Sequence, residues 1–220
     1  MHDTSWRQLG PGDMPTVADL LARAFADNPC YSWMHPRERS RRPDLRAFFE
    51  RNLAWHIPLG MTWVAERAGR VLGTLTLEPP GGVQHGAART LTHWVIPTLR
   101  EQGLRTVRRI AAADRAFRTH YLGITGGRAY WHVHAVAVDP EHQGEGVGAS
   151  LLAHGMRELA RLRTDRSVPV VLSTQRERNL PLYHRAGFEL LGRHQMGSPH
   201  DAFTSWFMRL GAAFTAADLA

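Results

Sequence analysis

Residues 130–150 read YWHVHAVAVDPEHQGEGVGAS, and this stretch decides the fold. Apolar and β-branched residues over 130–138 predict a strand, which is followed by a glycine-rich turn over 143–148 and a helix over 149–162. The glycines let the backbone bend sharply and bring its N–H groups close to a ligand. Because the helix directs the positive end of its dipole at the same point, the stretch predicts an anion site suited to a pyrophosphate.

The turn differs from two familiar phosphate-binding loops. No Gly-Lys-Ser/Thr follows its glycines, as a Walker loop requires, and the G-x-G-x-x-G spacing of a dinucleotide fold is absent. A glycine-rich turn alone is a weak signal, so the class of ligand depends on a second motif.

Two motifs in the expected order carry a resemblance to a known family. The run HAVAVDPEHQGEGVG over 134–148 resembles motif A of the GNAT acetyltransferases, whose core is Q/R-x-x-G-x-G/A, and NLPLYHRAGF over 179–188 resembles their motif B. One predicted helix and one predicted strand lie between them, as in that family. Upstream, two predicted helices and a Trp-containing loop are similar to the puromycin N-acetyltransferase-like branch.

The resemblance implies a single-domain α/β fold over 1–210, with a C-terminal tail over 211–220. Its sheet would be mixed but mostly antiparallel, splayed at the fourth strand and flanked by helices. It implies an enzyme that uses acetyl-coenzyme A as co-substrate, without a metal, and acetylates a primary amine of a small molecule by direct attack on the thioester.

The resemblance also implies roles for particular residues. The strand end at Val136, Ala137 and Val138 would bind the acetyl carbonyl and the pantetheine arm. Asn179 would position that arm, and Tyr183 would protonate the departing thiolate; the alternative is a packed core tyrosine with its hydroxyl bonded. The pyrophosphate would be held by the turn residues Gln143, Gly144, Glu145, Gly146, Val147, Gly148 and Ala149.

His132 and His134 are the candidate proton acceptors. They alternate on the predicted strand and therefore share a face. His132 lies eleven residues before Gln143, where many GNAT enzymes have a glutamate, and the pair is similar to the paired histidines of serotonin N-acetyltransferase. Either residue could equally be a satisfied core histidine. A His-x-His pair can also begin a zinc site, but no further ligands follow at convincing spacing, so we predict no metal.

The acceptor pocket is the least determined part. Candidates are Phe25, Asp27, Tyr31, Trp33 and the loop over 197–203, an aromatic lining with one acid that would suit a hydrophobic amine. The same aromatics are equally compatible with ordinary core packing.

The composition is that of an ordinary soluble domain: 220 residues, 43% hydrophobic and 21% charged. No apolar run approaches the roughly 18 residues of a membrane span, and the first residues lack the apolar stretch of a signal peptide. With Cys30 as its single cysteine, the chain is expected to be cytoplasmic and without membrane partners. A homodimer is compatible with the sequence.

All 27 basic residues are arginines, and the formal net charge is +7. Arginines recur along a helix predicted over 97–122, with Leu99 and Leu104 on its inner side. The simplest interpretation is a solvated helix face. Contact with nucleic acid is the more specific interpretation and is less favoured. The stripe motivates an alternative function, acyl transfer to a protein N-terminus or an aminoacyl-tRNA. A non-catalytic acyl-coenzyme A sensor is the third alternative. The arginines are Arg100, Arg105, Arg108, Arg109, Arg115 and Arg118.

Overall fold

The computed structural model describes residues 4–83, 86–197 and 200–211. In these residues, seven strands form one sheet in the order β1-β2-β3-β4-β5-β7-β6. The strands are β1 (Ser5–Gln8), β2 (Thr62–Arg67), β3 (Arg70–Glu78), β4 (Trp131–Val138), β5 (Val170–Thr174), β6 (Phe188–Met196) and β7 (Phe203–Leu210). The helices are α1 (Met14–Ala24), α2 (Pro29–Met34), α3 (Arg41–His56), α4 (Ala87–Thr90), α5 (Ile96–Gln102), α6 (Leu104–Thr125), α7 (Val147–Leu162) and α8 (Leu180–Arg185), with a π-helical stretch, Leu91–Val95, between α4 and α5.

The sheet is antiparallel except between β4 and β5. Those two strands run parallel and pair only at Trp131↔Val170 and His132↔Val171, whereas β4 pairs with β3 from His132 to Val138, except at His134. Beyond His132, the β5-facing edge of β4 therefore has no strand partner. This confirms the predicted single-domain α/β fold and its splayed fourth strand.

The β3–β4 ladder contains a bulge at His134. Thr76 pairs with Ala135, and the next β3 residue, Leu77, pairs with Val133, so His134 has no opposite residue. A bulge turns the following side chains relative to those before it. Accordingly, Trp131 and Val133 pack on one face of the sheet, and after the bulge Val136 and Val138 pack on that same face.

Each face of the sheet buries its own apolar cluster. On one side, α7 and α8 cover the sheet, and α7 lies so close that a Cβ on Gly155 would meet Leu75 Cδ1 at 2.6 Å. On the other side, α1, α2, α3 and α6 cover it. The fully buried members of the two clusters include Leu75, Leu151, Leu152 and Met208 on the first side, and Leu20, Leu45 and Phe207 on the second.

Two predicted elements differ from the structure. The aromatic stretch after Asn28 is the short helix α2 rather than a loop, because the Asn28 side-chain oxygen accepts from the backbone N–H groups of Cys30 and Tyr31. The single helix predicted over 97–122 is α5 and α6, separated at Gly103, whose φ of +87° is unsuited to a helix. The break leaves Leu99 and Leu104 exposed instead of inward.

The strand predicted over 130–138 begins at Trp131, one residue later than expected, which is within the normal uncertainty of strand ends. Of the predicted C-terminal tail, only Gly211 is among the described residues. None of the helices in the described part of the chain is long and apolar enough to span a membrane.

Candidate active site

The glycine-rich turn has the geometry that its sequence predicts. Gly144 and Gly146 adopt φ values of +89° and +81°, which L side chains rarely adopt. They turn the chain directly into α7, which begins at Val147, two residues earlier than predicted. The first N–H groups of a helix have no partner within it, so the amides of Val147, Gly148 and Ala149 remain available to a ligand beside the exposed Gly144 and Gly146.

The space around the turn fits an anionic group. A Cβ built on Gly144 or Gly146 would meet nothing within 4 Å, so their outer surface is open. Gly148 differs, because its Cβ would lie 3.4 Å from Val138 Cγ2, where α7 packs against the end of β4. The turn therefore offers backbone N–H donors and enough open space for a pyrophosphate to reach them.

Ion pairs hold the turn in place. The carboxylate of Asp139 is 2.6 Å from Arg23 of α1 and accepts from the Glu141 backbone N–H. Burial alone would raise the pKa of Asp139, but these hydrogen bonds hold that pKa below its usual value. The Glu145 carboxylate accepts from His142 and, at 2.9 Å, from Arg67, so its charge is compensated beside the proposed anion site.

The remaining cofactor candidates lie along the gap between β4 and β5. Val136, Ala137 and Val138 pair with β3 on one side and have no β5 partner on the other. The Asn179 side-chain amide donates to Thr174 Oγ1 at 3.3 Å, at the end of β5.

Tyr183 lies in α8, one helical turn after Asn179. Its side chain is buried, and burial raises the pKa of Tyr183 to about 12, which keeps the hydroxyl protonated near neutral pH. No described residue hydrogen-bonds to this hydroxyl. Both features suit a proton donor, and the burial is equally that of a packed core tyrosine.

On the opposite face of the sheet, a buried carboxylate gathers three histidines. Glu78, the last residue of β3, pairs with His132 across the ladder, and its Oε2 is 2.7 Å from His132 Nδ1. Its Oε1 is 2.8 Å from His56 Nε2 and 3.3 Å from His134 Nδ1. His132 and His134 thus share a face, as the strand pattern predicts. We call Glu78, His56, His132 and His134 the histidine cluster.

The cluster holds Glu78 in its charged form. Burial alone would raise the pKa of Glu78, but attraction to His134 and hydrogen bonds from His132, His134 and His56 hold that pKa far below its usual range. A carboxylate that stays ionised accepts hydrogen bonds and donates none.

Both ring nitrogens of His56 face oxygen atoms. Its Nδ1 is 2.8 Å from the Asn52 carbonyl and its Nε2 is 2.8 Å from Glu78 Oε1. The last residue of α3 is thus fixed against the last residue of β3.

His132 continues into a second chain of hydrogen bonds. Its Nε2 is 3.0 Å from the Tyr121 hydroxyl, and that hydroxyl is 2.8 Å from Ser173 Oγ of β5. Burial strongly raises the pKa of Tyr121, so this hydroxyl stays protonated and gives its one hydrogen to His132 or to Ser173.

The same residues are the candidates for a metal among those described. His56, Glu78 and His134 bring one ligand atom each to within 4.8 Å of one another. The contact between His56 Nε2 and Glu78 Oε1 is nevertheless a hydrogen bond of 2.8 Å. The arrangement supports proton chemistry without requiring a metal.

Sequence reasoning missed Glu78, His56, Tyr121 and Ser173. Glu78 is separated from His132 by 54 residues, and nothing in the sequence indicates that β3 and β4 are neighbours in this register. The only local signal is a charged residue at the end of the apolar run VLGTLTLE over 71–78.

The residues predicted to bind the acceptor lie in different environments. Phe25 and Tyr31 pack against each other and against Phe49 on the face of the sheet that carries the histidine cluster. Asp27 is exposed, and its carbonyl accepts from Arg176 at 2.6 Å. In the loop over 197–203, residues 198 and 199 lie outside the described part.

Trp33 and Arg109 are tied to that loop. The Trp33 indole N–H donates to Asp201 at 2.9 Å, and the Arg109 guanidinium contacts Asp201, the Trp33 carbonyl and the Trp33 ring face. Arg109 is thus a packed residue. Arg105 and Arg108 of the predicted stripe are instead exposed, and they line an open surface groove together with Trp33 and Arg109.

Comparison with known proteins agrees with this architecture. The model of the acetyltransferase (GNAT) family matches residues 23–188, and the chain belongs to that family. Members of this family are acetyltransferases that use acetyl-coenzyme A as co-substrate. A mycothiol acetyltransferase from Thermobifida fusca is 41% identical over 71 residues, which are 31% of this chain and only 21% of that relative.

Solved structures show the same fold. One, described as histone acetyltransferase HPA2 and related acetyltransferase from Corynebacterium glutamicum, is similar with a TM-score of 0.63 and 22% identity, over 98% of this chain and 99% of that chain. The Drosophila melanogaster polyamine N-acetyltransferase is similar with a TM-score of 0.61 and 18% identity, over 94% of this chain and 99% of that one.

Proposed function

We propose that this protein transfers an acetyl group from acetyl-coenzyme A to a primary amine of a small molecule, by direct attack of the neutral amine on the thioester. One observation carries the proposal. The gap beyond the last β4–β5 pair is bordered by the glycine-rich turn and, at His134, by the histidine cluster. An amine attacks only when it has lost its extra proton, so a proton acceptor beside the acetyl-binding gap is what the reaction needs.

The co-substrate would be held mainly by backbone groups. The amides over 143–149 would bind the pyrophosphate, and the unpaired edge at Val136, Ala137 and Val138 would bind the acetyl and pantetheine groups. An amide at that edge would also stabilise the oxyanion that forms on attack. Asn179 would hold the pantetheine arm, and Tyr183 would protonate the thiolate.

The acceptor would approach from the face that carries the histidines. One histidine of the pair His132 and His134 would remove its proton. Phe25 and Tyr31 would contribute an apolar wall, Trp33 would fix the position of the neighbouring loop, and Asp27 would lie at the rim. These features support an amine with an apolar part. The polyamine acetyltransferase among the similar folds supports a small amine, and membership of the puromycin-like branch stays a proposal based on the N-terminal helices.

The test is a thiol-release assay with acetyl-coenzyme A across a library of amines, including polyamines, arylalkylamines and amino-group antibiotics. We expect release with a subset of amines, with a product heavier by one acetyl group and little release without an acceptor. Failure of every amine, together with binding of acetyl-coenzyme A, would support the sensor alternative instead.

A second function, acyl transfer to a macromolecule, is motivated by the exposed Arg105 and Arg108. Binding of a polyanion weakens steeply as salt rises. Turnover of a tRNA-linked or peptide acceptor that falls steeply with salt would favour it. A cytoplasmic location is part of the proposal and is supported by the single, buried thiol of Cys30.

A further inference from the structure

We propose that Glu78 is a positioning residue that makes His134 the base of the reaction, with the His134 Nε2 lone pair directed at the acceptor amine, while His132 is held apart in a structural hydrogen-bond chain. This inference rests on the proposed acetyl transfer. It separates two histidines that look equivalent in the sequence.

His134 has one nitrogen engaged and one free. Its Nδ1 faces Glu78 Oε1 at 3.3 Å, and no described residue hydrogen-bonds to its Nε2. The bulge places it just beyond the last β4–β5 pair, and its side chain, 25% exposed, is the most open of the three histidines. An ionised carboxylate accepts the Nδ1–H, which leaves the lone pair on Nε2.

His132 lacks such a free nitrogen. Its Nδ1 is 2.7 Å from Glu78 Oε2 and its Nε2 is 3.0 Å from the Tyr121 hydroxyl, which is itself bonded to Ser173. An amine could reach a lone pair on His132 only by displacing one of these partners. The chain orients Glu78 and ties β4 to β5 where the two strands separate.

His56 fixes the ring of His134 from the side. Its Nε2 lies 2.8 Å from the same Glu78 Oε1, and its ring stacks on that of His134 with centroids 4.7 Å apart. The ring of His134 is therefore held between Glu78 and His56, with its Nδ1 edge toward the carboxylate.

The proton balance of the step is simple. The amine arrives as an ammonium and gives one proton to His134 Nε2, which passes it to solvent. The neutral nitrogen attacks the thioester carbonyl, a C–N bond forms and the C–S bond breaks. The second N–H proton leaves to His134, and the thiolate takes a proton from Tyr183. Solvent then takes the proton from His134 and returns one to the Tyr183 oxygen, so both residues regain their starting forms and one proton is released per turnover.

The first test reads the tautomer without any activity. Long-range ¹H–¹⁵N spectra of the imidazoles, recorded above the usual titration range of histidine, should show His134 protonated on Nδ1 and bare on Nε2, with its signals assigned by their loss in His134→Gln. In Glu78→Gln, a fraction of the His134 side chains should change to the tautomer that is protonated on Nε2. A wild-type His134 protonated on Nε2 would overturn the inference.

The second test uses chemical rescue. In His134→Ala, kcat should fall roughly 100-fold or more, and added imidazole should restore part of it, because a general base contributes about 10²–10⁴-fold. His132→Ala should lose less and gain nothing from imidazole. Glu78→Gln should lower kcat with little change in KM for acetyl-coenzyme A, and Glu78→Asp, which keeps the charge, should recover part of the rate.

The control is His194→Ala, which removes a histidine of β6 that stacks on His120 outside the cluster. Rescue of His132→Ala but not of His134→Ala would reject the base assignment while leaving acetyl transfer established. Absence of wild-type turnover with every amine would instead count against the proposed function, and the tautomer would still be decided by the spectra.

Discussion

The glycine-rich turn and the histidine cluster lie on the two sides of one strand, and they are built in opposite ways. The turn is continuous in sequence, exposed, and made largely of backbone groups whose geometry glycine permits. The cluster is partly buried and combines side chains from β3, β4 and α3, with α6 and β5 behind them. A local motif can thus indicate co-substrate binding, whereas the proton chemistry depends on packing between distant segments.

The largest expected effect comes from breaking the turn. Gly146→Glu places a side chain at a φ of +81° and a negative charge at the anion site, and Gly148→Glu crowds Val138. Acetyl-coenzyme A should raise the Tm of the wild type, because a ligand that binds only the folded state stabilises it. Both variants should lose that shift.

The matched control for charge is Gly123→Glu in α6, where a Cβ would meet nothing within 4 Å. It should keep the full shift. A normal shift of Tm in Gly146→Glu and Gly148→Glu would show that the pyrophosphate does not bind at this turn.

The next largest effect is expected at Tyr183, on the face of the sheet that α7 and α8 cover. Tyr183→Phe keeps the ring packing against Phe188 and deletes the hydroxyl. We expect kcat to fall roughly 10- to 1000-fold, as for loss of a general acid, with little change in the affinity for acetyl-coenzyme A. Steady-state kinetics together with a binding titration check this. An unchanged kcat would mean that Tyr183 serves only in packing.

The histidine cluster should make the stability of the fold depend on pH in the acidic range. Because the pKa of Glu78 is depressed in the folded state, its contribution to stability is present above the unfolded pKa of about 4.3 and is lost as the pH falls below that value. The Tm of the wild type should therefore fall more steeply from pH 5 to pH 3 than that of Glu78→Gln. Parallel curves for the two proteins would show that Glu78 is not ionised in the fold.

The smallest effects are expected on the arginine-lined surface. Arg105→Gln with Arg108→Gln should change the free energy of unfolding by less than about 0.5 kcal/mol and leave turnover of a small amine unchanged, because both residues are exposed. Arg109→Gln removes the contacts with Asp201 and Trp33 and should cost about 1–3 kcal/mol. Urea denaturation of the two variants compares them directly, and equal costs would contradict the structural distinction between these arginines.

The prediction of α2 and of the α5–α6 region failed for a shared reason. Asn28 accepts hydrogen bonds from two amides and begins a new helix where a Trp-containing loop was predicted. Gly103 interrupts a pattern that is otherwise helical. In both places one residue's local geometry decides between two structures that the apolar spacing fits equally well.

The sequence by itself determined the family-like order of strand, turn and helix, because backbone flexibility at Gly144 and Gly146 and the periodicity of neighbouring side chains are local properties. The pair of histidines on one strand face was likewise readable from the alternation of a strand. Only the tertiary structure brought Glu78 and His56 to them, placed a bulge at His134 and joined His132 to Tyr121. These relations depend on strand register and on the packing of α3 and α6, which are set by long-range burial and which no short stretch of sequence specifies.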